Sequence, residues 1–171
     1  MYSISQLCNM TNQPPYDVFE ACRRNDKATI EQLFRADAAV IQEHDHRGFT
    51  PLILAGYNDA ADATAFLLEN GAAVDGQDAA GNTALMGVCF RGYKQIAGLL
   101  MEAGADVNRR NYSNATALTF AATFGQLDIA RMLLEHGADT GLRDAHGKSP
   151  LDHAMIQENH EMVNLIRQFV K

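Results

Sequence analysis

Apolar positions along the chain fall into short helical stripes separated by polar turns, and the whole pattern repeats every 33 residues. Ile96, Leu99 and Leu100, and again Ile129, Met132 and Leu133, stand at i, i+3 and i+4, the spacing that lines one face of an α-helix. Before each such stripe lies a shorter one, clearest at Leu118 and Ala121, which predicts a first helix paired with the second. Asp45, Asp78, Asn111 and Asp144 open polar turns, with Gly48, Gly81, Asn114 and Gly147 three residues on. An Asp or Asn side chain bonds the backbone amides ahead of it, and Gly or Asn accepts the positive φ of a tight turn. Thr50, Thr83, Thr116 and Ser149 then sit where a helix N-cap belongs, with Pro51 and Pro150 at the first helical position. A turn between the paired helices is expected at Gly92 and Gly125, and Gly71, Gly104 and Gly137 follow the second helices as C-terminal caps.

A 33-residue unit cannot bury its own apolar face and must stack on its neighbours, so the period predicts a solenoid. The expected fold is all-α, helix-turn-helix repeats joined by short β-hairpin turns, about five repeats including both caps. Full repeats are expected at 45–77, 78–110 and 111–143. Residues 14–44 keep the register without the turn, with Phe19 at the Leu site, Cys22 at the Ala site and Ile30, Leu33 and Phe34 in the second helix, as an N-terminal cap. Residues 144–171 end in a helix whose Met162, Leu165, Ile166 and Phe169 face inward and whose Asn159, Glu161, Asn164 and Gln168 face solvent, as a C-terminal cap. Residues 14–171 are thus expected to form a single repeat domain, preceded by a tail over 1–13 rich in Ser, Asn and Gln.

The run Asp-x-x-Gly-x-Thr-Pro-Leu, the Ala pair, the Leu-Leu run and Gly-Ala-Asp-Val-Asn at Gly104 to Asn108 together resemble the ankyrin repeat, from Tyr16 to Lys171. Departures are modest. The His that follows Thr-Pro-Leu in that family is replaced by Ile53, Met86, Thr119 and Asp152, Asp59 stands at the inter-helix Gly, and an Ala-rich second helix thins the packing of the first full repeat. The resemblance implies an array whose hairpin tips and first helices form a concave surface for protein partners, with no catalysis and no cofactor. In that family the partner is met at recurring turn and helix-end positions, which here hold Arg24, Arg47, Phe49, Tyr57, Asn58, Phe90, Arg91, Arg110, Tyr112, Phe124 and Arg143 among 29 sites.

Charge sharpens the picture. The chain carries 21 acids in 171 residues, enough to put roughly 3 to 4 among 29 random sites, yet these sites hold none. Six of them are Arg or Lys, so the rest of a −7 molecule carries −13. Arg mixed with Tyr and Phe is the composition of interface hot spots, because these side chains bury large area and Arg forks onto carboxylates. An acidic protein surface is the expected partner, with the chain monomeric on its own and acting as a regulator or chaperone. An inhibitor or immunity-like protein that blocks a partner's active site is the rival within binding.

Other chemistry finds little footing. A net negative charge and Arg spread among aromatics argue against nucleic acid, which a steep salt dependence would reveal. His44-Asp45-His46 has the look of a small metal constellation, but Asp45 already has its turn task. Cys89 falls in a small-residue core slot, where a thiol is inert. Phosphate-binding loops, nucleophile elbows and recurrent carboxylate pairs are absent, so no enzyme, metal or small-molecule substrate is expected. Three cysteines do not make a disulfide framework, no membrane-length apolar run occurs, and the first residues lack the features of a signal peptide, which points to the cytoplasm.

Overall fold

The computed structural model describes Pro14 and residues 16–170; the expected tail over 1–13, Gln13 included, lies outside the described residues. Among the described residues ten α-helices form five consecutive pairs: α1 (Val18–Arg23) with α2 (Lys27–Ala36), α3 (Pro51–Tyr57) with α4 (Ala61–Glu69), α5 (Ala84–Arg91) with α6 (Lys94–Glu102), α7 (Ala117–Thr123) with α8 (Leu127–Glu135), and α9 (Pro150–Ile156) with α10 (His160–Arg167). A short 3-10 turn, Ala38–Gln42, follows α2. The odd-numbered helices pack in one layer, α1 on α3 on α5 on α7 on α9, and the even-numbered helices in a second. Between them runs one continuous core, with Leu52, Leu85 and Leu118 from the first layer and Leu67, Leu100 and Leu133 from the second all fully buried. Burying each such side chain contributes on the order of 1.5–3 kcal/mol, which no single pair of helices could collect alone.

The helix starts have the expected cause. The hydroxyls of Thr50, Thr83, Thr116 and Ser149 accept from the amides of Ile53, Met86, Thr119 and Asp152 at 3.2–3.4 Å. Asp17 does the same for Glu20 at 2.8 Å, in the same 33-residue register, a cap that sequence analysis passed over. The hairpins are turns without extended strands among the described residues: Asp45 N donates to Phe49 O, and the Asp45 carboxylate accepts from the Arg47 and Phe49 amides. Asp78, Asn111 and Asp144 repeat this geometry, and Gly48, Gly81, Asn114 and Gly147 all have φ between 59° and 82°.

One register does not hold. The positive-φ residues between paired helices are Asp59, Gly92, Gly125 and Glu158, each 33 apart, but the first is Asn25, 34 residues before Asp59. Asn tolerates the left-handed conformation, and Asn25 also accepts from the Ala63 amide and donates to Asp62, capping α4 of the next repeat. Its shortened first helix moves Arg23, not Arg24, into the place equivalent to Tyr57. Packing around the Ala-rich α4 is closed by Phe66, which meets Phe34 edge-on at 5.8 Å.

Polar braces tie each repeat to the next. Gln42 holds the Gly71 carbonyl and the Ala73 amide, Asp75 accepts from Asp106 N, and Asn108 holds Gly137 O and Asp139 N, three residues spaced 33 apart. At the C-terminal end, Met162, Leu165 and Ile166 are buried while Glu161, Asn164 and Gln168 are exposed, as a terminal cap requires.

Candidate interaction face

The turns and the first-helix layer together build one face. Adjacent turns are linked by Tyr112 N to Ala80 O at 3.1 Å and Ala145 N to Ser113 O at 2.8 Å, so their tips are held relative to one another. The Tyr112 ring lies across Gly81, where a side chain would collide with it, and is 74% exposed.

Along the ends of the first helices runs a chain of rings. Tyr57 stacks on Phe90 at 6.1 Å with the planes 8° apart, and Phe90 meets Phe124 edge-on at 4.6 Å. These three rings are 38–45% exposed, which leaves an apolar strip open to solvent across three repeats. Arg91 lies over Tyr57 at 5.1 Å and over Tyr93 at 5.4 Å, and the Tyr93 hydroxyl accepts from its Nε and Nη2. Arg47 lies over Phe49, itself half-buried, at 5.1 Å. Each such contact is worth only about 0.5–1.5 kcal/mol, but together they fix the guanidiniums and rings before any partner arrives.

The arginines differ in what they have left to offer. Arg24 is bound by Glu20 at 2.6 Å and lies over Tyr16, and Arg143 is bound by Asp152 at 3.1 Å. Glu20 and Asp152 fall outside the 29 family positions, so two of the six counted cations are neutralised by acids that the position count omitted. Arg47, Arg91, Arg110 and Lys148 make no ion pair among the described residues. Arg110 also braces the stack, donating from Nη2 to Arg143 O at 2.6 Å, and Asn58 spends an amide hydrogen on Leu54 O.

A cleft of about 480 Å³ opens on this face between the second and third helix pairs. Its lining comes from turns (Arg47, Phe49, Asp78, Asn82) and first helices (Ile53, Leu54, Tyr57, Met86, Gly87, Phe90, Phe120), with Arg23 contributed by α1. Arg23 bridges Glu20 and Asp45. Sequence reasoning missed both the cleft and Arg23. The cleft's signal was present in the register Leu54, Gly87, Phe120, where one small residue interrupts two large ones, whereas Arg23 was hidden by the one-residue slip in the first repeat.

Burial pushes the Cys22 thiol up to about 12 and raises that of Cys89 further, and both are free. Asp45 is engaged by two amides and Arg23, and among the described residues no group of three or more His, Cys, Asp or Glu comes together as a metal site. No helix among them is long and apolar enough to cross a membrane. Residues 18–111 match the family model described as ankyrin repeats (3 copies), and residues 100–154 match that described as ankyrin repeats (many copies). No curated protein gives a significant match to the chain.

Proposed function

The chain belongs to the ankyrin-repeat family, a protein-interaction module, and from that premise we propose that it binds an acidic protein partner through its turn-and-first-helix face and so regulates or chaperones that partner. The observation that carries this reading is the exposed strip Tyr57, Phe90 and Phe124, flanked by the guanidiniums of Arg47, Arg91 and Arg110, none of which has an acid partner among the described residues. Rings and guanidiniums already held in place bind with little further loss of entropy, and cations without carboxylates attract an acidic surface. Members of this family are typically non-enzymatic, and nothing in the face calls for a reaction. The reading places the protein in the cytoplasm, where Cys22 and Cys89 stay reduced.

The test starts from the protein that copurifies with the endogenous chain, identified by mass spectrometry and then titrated against variants. Phe90→Ala and Arg91→Glu are expected to weaken that complex by about 2 kcal/mol or more, while the loss of their ring contacts lowers thermal unfolding only modestly and leaves it cooperative. Lys148→Glu is expected mainly to slow association, and Glu135→Lys, on the exposed end of α8, to do nothing. Loss of binding in Glu135→Lys with normal binding in Phe90→Ala and Arg91→Glu overturns the proposal.

A further inference from the structure

Gly87 stands inside helix α5, where glycine destabilises relative to alanine. It is not one of the positive-φ glycines, and a methyl group built on it would meet only the edge of the Tyr57 ring, at 3.5 Å, an ordinary contact. Neither backbone geometry nor packing calls for a glycine at this position. Gly56 in α3 is different, since a methyl there would press on Val88 at 3.1 Å. Gly98 in α6 shares the freedom of Gly87, but it belongs to the second helix layer and does not line the cleft.

What the missing side chain does at Gly87 is open the cleft. Buried Ile53, Leu54 and Met86 line it together with the rings of Tyr57, Phe90 and Phe120. Asp78 also lines it, but its Oδ1 accepts from the Ala80 and Asn82 amides and its Oδ2 from the Asn82 side chain. Arg23 is already bound by Glu20 and Asp45. The cations without an acid partner are therefore Arg47 on the lining and Arg91 stacked on the Tyr57 ring, two positive charges against the one carboxylate of Asp78. We infer that the Gly87 cleft is the anchor subsite of the face, taking a large apolar side chain from an acidic peptide segment of the partner, whose carboxylates meet Arg47 and Arg91. The inference rests on the proposed face and deepens it. A cleft of about 480 Å³ holds such a side chain with room for the adjoining backbone, and the ring strip beyond it, to Phe124, continues the path of a peptide chain.

The probes are synthetic peptides, acetyl-GEDXDEG-amide with X as Phe, Leu or Ala and a matching series with Lys in place of every acid, titrated into the isotope-labelled full chain and followed by amide shifts. Phe and Leu peptides are expected to bind about tenfold or more tightly than the Ala peptide, with the largest shifts at Gly87, Tyr57 and Phe90, and the Lys series to bind more weakly still. Gly87→Leu fills the notch. It is expected to unfold no lower than the wild type and to lose the preference for Phe and Leu over Ala. Equal affinity for all three acidic peptides, with shifts at Arg47 and Arg91, overturns the anchor and leaves the face standing. Shifts confined to α4, α6 and α8, or none at all, overturn both. A peptide of residues 1–13 that shifts Gly87 more than the acidic series, or concentration-dependent shifts there in the free protein, gives the cleft to the chain's own start or to a second copy and also overturns the inference.

Discussion

Asn111 does with an amide oxygen what Asp45 and Asp144 do with a carboxylate: all three accept from the amides two and four residues ahead. The difference is pH. Burial pushes the Asp144 carboxyl up, but the Lys148 amide, the His153 ring and the His146 amide outweigh it, and its pKa lies below the ordinary 3.8. Asp45 is shifted the same way, burial being outweighed by the Phe49 and Arg47 amides. A depressed folded-state pKa means stability that is fully present above the unfolded value and is lost as pH falls through the folded one. Acid should therefore loosen these turns from about pH 4 downward, while the Asn111 turn is unaffected. Asp144→Asn is expected to show a shallower loss of melting temperature from about pH 4 towards about pH 2 than the wild type; identical acid limbs in the two proteins would remove Asp144 from this account.

At the scale of elements, most of the design is legible because each boundary has a local chemical cause. Thr-Pro at 50–51 and Ser-Pro at 149–150 mark helix starts, and Gly92 marks the turn between helices with its φ of 84°. The slip at Asn25 was not legible, because Asn25 and Asp26 both suit a turn and only contact with α4 decides between them. The same limit governs the site. The ankyrin resemblance places Tyr57, Phe90 and Phe124 on one face, Phe124 one residue past the Tyr57–Phe90 register, but the pairing of Arg24 with Glu20, and of Arg143 with Asp152, depends on side-chain geometry that no spacing specifies. Glu158 is a further consequence of repeat divergence, holding φ 53° where two sister repeats use glycine. That conformation costs a side-chain-bearing residue roughly 1 kcal/mol, so Glu158→Gly is expected to raise the melting temperature by about 2–4 °C. A lower melting temperature would show that the Glu158 side chain contributes more than its strain costs.

For the whole molecule, stability and recognition both depend on stacking. Leu133 and Leu134 are buried in a layer where α10 covers α8, so a chain ending at residue 143 exposes them. Such a truncation is expected to aggregate or to unfold without cooperativity, and a soluble, cooperatively folding product would contradict the role given to the C-terminal cap. In the proposed reading, recognition uses the turn-and-first-helix face as one surface across repeats and leaves the layer of α4, α6 and α8 free. The most direct measurement is amide hydrogen exchange of the full chain alone and saturated with its copurified partner. The account predicts added protection at the turns and at the ends of α3, α5 and α7, around Tyr57, Phe90 and Phe124, with α4, α6 and α8 unchanged; protection confined to those outer helices would contradict it.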